Sequence, residues 1–211
     1  MGLLNDIFGP SKEMIWQQFA EQIGGKYIDG GFWRQDKIEA MYKDWFITLD
    51  TYTESHTDSD GDTSHTTYTR IRGAFLNTNG LRFKLYNASL FSGIGKFFGF
   101  QDIDIGHSFF DDRYVIKGND PEAITKLFTS PRIQQLIGVQ PKIHLELKDD
   151  KGWFNDHFPQ GVDELYFETV GVIKDLSQLR HLYDLFAEVL NTLCHLDAGY
   201  EYDSLLSESD L

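Results

Sequence analysis

What this chain has little of excludes several classes of function before any motif is considered. Cys194 is the only cysteine in 211 residues, so no intramolecular disulfide can form, and a reducing compartment suits the chain. Positive charge is short too: 19 Lys and Arg stand against 33 Asp and Glu, a net charge of −14. A field of that sign repels phosphate backbones and anionic lipid, so nucleic acid is not an expected partner. No apolar run approaches the roughly 18 to 20 residues that a spanning helix needs, and the N-terminus lacks the basic segment and long apolar core of a secretory signal. The expectation is a cytoplasmic protein without a membrane span. Met1-Gly2-Leu3-Leu4-Asn5-Asp6 opens like a myristoylation site, but Asp6 stands where that signal needs Ser or Thr.

What is plentiful is aromatic and β-patterned. Aromatic residues make up 15% of the chain and apolar residues 41%, enough for one large core, so residues 1–196 are read as a single domain. Residues 197–211 carry Asp197, Glu201, Asp203, Glu208 and Asp210 with no cation, the pattern of a mobile acidic tail. At the start of the domain, ahead of Gly9-Pro10, Leu3, Leu4, Ile7 and Phe8 form an apolar knot. Ser11 caps a helix over 12–23 that ends at Gly24-Gly25, with Ile15, Phe19 and Ile23 on one face. From residue 26 to 87 the apolar period changes to two, as in a meander of strands, with a polar hairpin tip at 54–64. Thr78-Asn79-Gly80 fits a three-residue hairpin loop that would pair Phe75 with Phe83 and Gly73 with Leu85. Residues 109–116 read as a strand. Asp120-Pro121 and Ser130-Pro131 each start a short helix with a side-chain cap and proline at the first helical position. The second of these is expected to stop at Gly138 in a left-handed cap. Strands follow over 142–147 and 164–173, then a helix over 175–195 whose Leu176, Leu179, Tyr183, Phe186, Leu190 and Leu193 recur at helical spacing. The predicted fold is α+β: an antiparallel sheet with helices mainly on one face and the long C-terminal helix as principal cover, with helix-grip and PH-like arrangements as variants.

Several of these stretches resemble a bacterial domain family of unknown function. The resemblance rests on Gln101-Asp102-Ile103-Asp104-Ile105-Gly106, on Phe110-Asp111-Asp112-Arg113-Tyr114-Val115-Ile116-Lys117-Gly118-Asn119-Asp120, and on Gly161-Val162-Asp163-Glu164-Leu165-Tyr166-Phe167 with Gly171-Val172-Ile173-Lys174-Asp175. It spans most of the chain. It implies a bacterial cytoplasmic domain and transfers no catalytic residue.

Chemistry is thinly written. Asp58, Asp60, Gly61 and Asp62 look like a calcium loop, but placing Gly61 at the sixth position puts His56 first and Thr67 last, without the closing glutamate. Gly93, Gly95 and Gly99 lack the dinucleotide spacing, so no cofactor is expected. Cys194 and His195 are consecutive on a helix and point apart, against a nucleophile–base pair. Asp111, Asp112, Asp163 and Glu164 are carboxylates that a fold can bring together, which keeps a metal-assisted hydrolase with a carboxylate-lined site as the alternative function. One constellation opposes the net charge. Arg70, Arg72, Arg82 and Lys84 share outward parity with Tyr68 and Tyr86 on the two strands that the hairpin would pair. They form the candidate binding surface for a protein or a small anionic ligand, and the acidic tail is expected to rest there. The leading functional expectation is a non-enzymatic binding or interaction module.

Overall fold

The computed structural model describes residues 10–31, 35–89, 100–148 and 161–196. The apolar knot at Leu3, Leu4, Ile7 and Phe8, the glycines at 93, 95 and 99, and the acidic tail from Asp197 lie outside the described residues.

Side-chain caps start three of the helices where the sequence places them. Ser11 Oγ accepts the Met14 N–H at 3.3 Å and opens α1 (Lys12–Gln22), and Gly24 beyond it takes a left-handed φ of 66°. The meander follows as β1 (Lys26–Ile28), β2 (Lys37–Tyr42), β3 (Trp45–Thr57), β4 (Thr63–Leu76) and β5 (Phe83–Asn87). Next come β6 (Gln101–Asp102), α2 (Ser108–Asp111) and β7 (Tyr114–Gly118). Asp120 and Ser130 accept from Ala123 N–H and Ile133 N–H to cap α3 (Pro121–Phe128) and α4 (Pro131–Gly138). The chain closes with β8 (His144–Lys148), β9 (Val162–Val170) and α5 (Leu176–His195), the last capped by Asp175 accepting from Gln178 N–H at 2.7 Å.

The nine strands form one antiparallel sheet in the order β1-β2-β3-β4-β9-β8-β5-β7-β6. All described helices lie on one of its faces. A Cβ added to Gly73 would sit 3.0 Å from the Phe186 ring, so this glycine lets α5 approach β4 closely. Phe83 meets Phe128 edge-on at 5.2 Å, which seats α3 on β5. Trp16 of α1 donates from its indole N–H to the Ile173 carbonyl at 3.0 Å, tying the first helix to the chain entering the last. Leu179, Tyr183, Phe186, Leu190 and Leu193 are all buried, and at ~1.5 to 3 kcal/mol for each buried large side chain α5 is a principal contributor to the core.

Three expectations are corrected. The strands β4 and β5 do not pair: β9 takes the place beside β4, from Tyr68↔Val170 to Leu76↔Val162, and β5 pairs with β8 and β7. Asn77 is the reason. Its amide donates to Leu81 O and accepts from Leu81 N–H, while its own backbone N–H donates to Gly161 O. The 77–81 loop, with Gly80 at φ 63°, is thus closed on itself and joined to the start of β9. The 109–116 stretch is not one strand, because the Asp111 carboxylate accepts from the Ile105 and His107 backbone N–H groups and holds α2 as a turn before β7. Gly138 belongs to α4, and Val139 follows it in right-handed geometry. Gln140 takes the last carbonyls there, its backbone N–H donating to Ile137 O and its side chain to Leu136 O.

Candidate functional site on the helix-free sheet face

Alternation puts every second residue of these strands on the face that no described helix covers. The registers then stack them into rows. One row runs Lys37, Asp50, Arg70, Glu168, His144, Tyr86, and the next Glu39, Thr48, Arg72, Tyr166, Glu146, Lys84, Lys117, Asp102. Cation and anion largely alternate across strands, the arrangement that cross-strand pairing favours.

At one centre, Asp50 accepts a two-point bond from Arg70, Nε to Oδ1 and Nη2 to Oδ2, both at 2.8 Å, and a further bond from Arg72 at 2.9 Å. The Arg70 guanidinium lies 4.8 Å from the centre of the Tyr52 ring, which itself stacks on Tyr68 at 5.0 Å. At the other centre, His144 bridges two carboxylates. Its Nδ1 is 2.9 Å from Glu168 Oε1 and its Nε2 3.1 Å from Glu146 Oε2. Tyr166 donates its hydroxyl to Glu168 at 2.6 Å, Tyr52 donates to the same oxygen, and Lys84 pairs with Glu146 at 2.7 Å.

Protonation follows from this packing. Burial opposes charge on the imidazole, but the hydrogen bonds and charges of Glu146 and Glu168 outweigh it and raise His144 to about 9. Burial likewise pushes the two carboxyls up, and their bonds to His144, with Lys84 on Glu146 and the two tyrosines on Glu168, bring both down to about 2. At neutral pH the centre is therefore an imidazolium donating both N–H groups between two carboxylates. Burial raises the Tyr52 and Tyr166 hydroxyls, reinforced by Glu168. Neighbouring Glu164 is raised by burial and Lys148 lowered by it; they face each other at 3.6 Å, with the Lys148 ammonium 3.4 Å from the Tyr166 ring centre.

The predicted basic residues are placed as follows. Arg70, Arg72, Lys84, Tyr68 and Tyr86 do share the helix-free face, although β9 and β8 lie between the two strands that carry them. Arg82 leaves the group, because its guanidinium pairs with Asp163, a residue of core-face parity that Asn77 also contacts. Each of the four cations thus has a carboxylate. The hydrolase candidates do not converge: Asp163 and Glu164 point to opposite faces of β9, and Asp111 caps a turn beside β7. At the hairpin tip, Asp58 Oδ1 accepts from the Asp60 and Asp62 backbone N–H groups, both at 3.0 Å. Among the described residues, no three His, Cys, Asp or Glu side chains are grouped to hold a metal.

The His144, Glu146, Glu168 centre was not singled out from sequence. A signal existed in His144-x-Glu146-x-Lys148 and Glu164-x-Tyr166-x-Glu168, two polar alternations on separate strands. Only the β8–β9 register, His144↔Glu168 and Glu146↔Tyr166, turns them into one cluster.

Beyond these two rows of paired charges, which form a plate on the sheet, the sheet narrows to two strands. β2 ends against β3 at Lys37↔Asp50 and β9 ends against β4 at Tyr68↔Val170, while β3 and β4 stay paired to Thr57↔Thr63. Residues 53–65 of this ribbon are exposed. Where β9 ends, a cleft of about 460 Å³ is lined by Pro141, Lys142, Val170, Lys174 and Gln178 among others. The buried Thr69 hydroxyl, on the residue that pairs with Thr169 of the cleft wall, donates to Gly171 O and accepts from Ile173 N–H.

Neither a family model nor a curated protein matches the chain. Among solved structures, the chain is similar to the crystal structure of the mycobacterial trehalose monomycolate transport factor A, TtfA, at 8% identity and a TM-score of 0.49, over 86% of this chain and 94% of that one. Similarity at that level carries no functional argument.

Proposed function

We propose that this domain is a non-enzymatic binding module that meets a protein partner with the helix-free face of its sheet and the ribbon extending from it. The observation that carries this reading is the mutual saturation of the ionisable groups on that face. His144 at about 9, and Glu146 and Glu168 at about 2, are held far from neutrality by one another. A general acid or base works best with a pKa near the operating pH, so these groups serve as a fixed, charge-balanced plate rather than as proton carriers. A small anion would have to displace Asp50 from Arg70 and Arg72, or Glu146 from Lys84, which favours a protein partner over an anionic ligand. The bacterial and cytoplasmic setting belongs to the same proposal. Photo-crosslinking side chains placed at Tyr68 and Ser64, with Glu122 on α3 as control, test it in cells. The expected result is one shared adduct from the two sheet positions and none from Glu122. Equal adducts from all three, or a hydrolytic turnover lost in His144→Gln, would overturn it.

A further inference from the structure

Hairpins that leave their sheet usually fold back onto it, because two strands alone are marginal in water. This one projects instead. Its two strands are joined by side chains as well as by the backbone ladder: Thr53 meets Thr67 at 2.9 Å, Ser55 meets His65 at 2.8 Å and Thr57 meets Thr63 at 3.0 Å, hydroxyl or imidazole against hydroxyl on one face. The tip is closed by Asp58, as described, and by the Asp58 N–H donating to Asp62 O at 3.0 Å. Over 53–57, about 17 Å of strand at ~3.4 Å per residue, no described residue pairs with the β3 edge that faces away from β4. The opposite edge is shorter, since the Gly171 N–H already donates to Thr67 O.

An exposed edge is usually blunted by lysine, proline or a bulge that keeps other strands away. Here residues 51–67 contain no Lys, Arg or Pro, and they carry Glu54, Asp58, Asp60 and Asp62. The missing protection fits an edge meant to be occupied, and the charge says by what. A second copy would bring four more carboxylates against these four, so a strand of opposite sign is the complementary occupant. Resting on the module reading, we propose that the β3 edge over 53–57 accepts an extended Lys- or Arg-bearing segment of a partner protein as an added antiparallel or parallel strand. Main-chain bonds would supply affinity, and the carboxylates at Glu54 and along the tip would select the cationic sequence.

The test uses the full chain labelled with ¹⁵N and a synthetic probe, an acetylated and amidated peptide alternating lysine with threonine and valine. Two sister peptides accompany it, one N-methylated at alternate backbone nitrogens and one with glutamate for each lysine. Expected is binding of the lysine peptide at least about 10-fold tighter than of either sister, with amide exchange slowed at 53–57 and not on α3. Glu54→Lys/Asp60→Lys, both exposed positions, should weaken it by about 10-fold or more while leaving the thermal midpoint in place. Equal binding of the N-methylated peptide, protection elsewhere than 53–57, or absence of binding would overturn strand addition. So would a concentration-dependent dimer in sedimentation that protects 53–57 without peptide. In-cell adducts from Ser64 with no peptide binding would remove this proposal alone, whereas loss of both would remove the module reading too.

Discussion

Replacing His144 by glutamine removes the one cation shared by Glu146 and Glu168, and its cost should depend on pH in a way that few substitutions can imitate. A rise from the ordinary 6.5 to about 9 corresponds to about 3 kcal/mol of preference for the charged form in the folded state. The imidazole keeps 31% of its surface exposed, so solvent screening reduces this to ~2 kcal/mol. The depressed carboxyls report the same contacts from the other side and are not added. Below pH 6.5 the imidazole is protonated in both folded and unfolded chains, and the full stabilisation is present. Between 6.5 and 9 the folded chain holds a proton that the unfolded chain has lost, so stability falls with a limiting slope of about 1.4 kcal/mol per pH unit. Above 9 the contribution is gone. Urea unfolding of both proteins at pH 6, 7, 8 and 9 should therefore show His144→Gln weaker by ~2 kcal/mol at pH 6, the gap closing toward pH 9, and proton NMR should show this imidazole titrating near 9. A gap constant across the series, or an imidazole titrating near 6.5, would refute the reasoning.

Acid should produce the opposite trend in the wild type: Glu146 and Glu168, depressed to about 2, contribute stability present above the usual carboxylate range and lost as pH falls through 2, measurable by acid unfolding against Glu146→Gln. Asp50→Ala leaves Arg70, buried in the plate, without its two-point acceptor and should cost ~3 to 5 kcal/mol, read by urea unfolding; a cost below ~1 kcal/mol would mean that water replaces the carboxylate. Leu190→Ala, on the fully buried stripe of α5, should lose ~2 to 5 kcal/mol in the same assay, and a shift toward monomer with little loss would make the stripe a subunit seam instead. Calorimetric titration of the ribbon tip with calcium should give no micromolar affinity, because Asp58 already serves the turn; binding that disappears in Asp58→Asn/Asp60→Asn would contradict this.

Local signals were legible and pairings were not. Ser11, Asp120 and Ser130 act within three residues of themselves, so these side-chain caps could be read directly and all three are made, while Asp175, placed inside the last helix from sequence, caps it instead. The parity of β4 and β5 was legible for the same reason, since alternation is a property of one strand. Which strand lies beside which is decided by contacts across long stretches of chain, and there the loop at Thr78-Asn79-Gly80 misled: its glycine is left-handed as expected, yet Asn77 bonds to Leu81 and Gly161 rather than letting β5 return along β4. The candidate face inherited both halves of this. Five of its six residues lie on one face because parity was right, and the carboxylate partners of Arg70, Arg72 and Lys84 went unseen because Asp50 and Glu146 come from β3 and β8.

The two parts of the helix-free face divide labour for a physical reason. In the plate Asp50, Arg70, Arg72, Lys84, Glu146, His144 and Glu168 all have cross-strand partners, so a one-residue slip of β4 would carry Arg70 and Arg72 to the core face and break Asp50's bonds at once; the lattice fixes register at a high cost for error. Substitutions there act on the fold. In the ribbon, Glu54, Ser64 and Asp60 are exposed and bear no buried partner, and exposed charges contribute ~0 to 1 kcal/mol at most. Their sequence can therefore answer to a partner without answering to stability. Recognition by the ribbon and stability from the plate should then separate in experiment, charge reversal at Glu54 and Asp60 changing peptide binding with an unchanged thermal midpoint, and His144→Gln lowering the midpoint while the folded protein still takes the peptide.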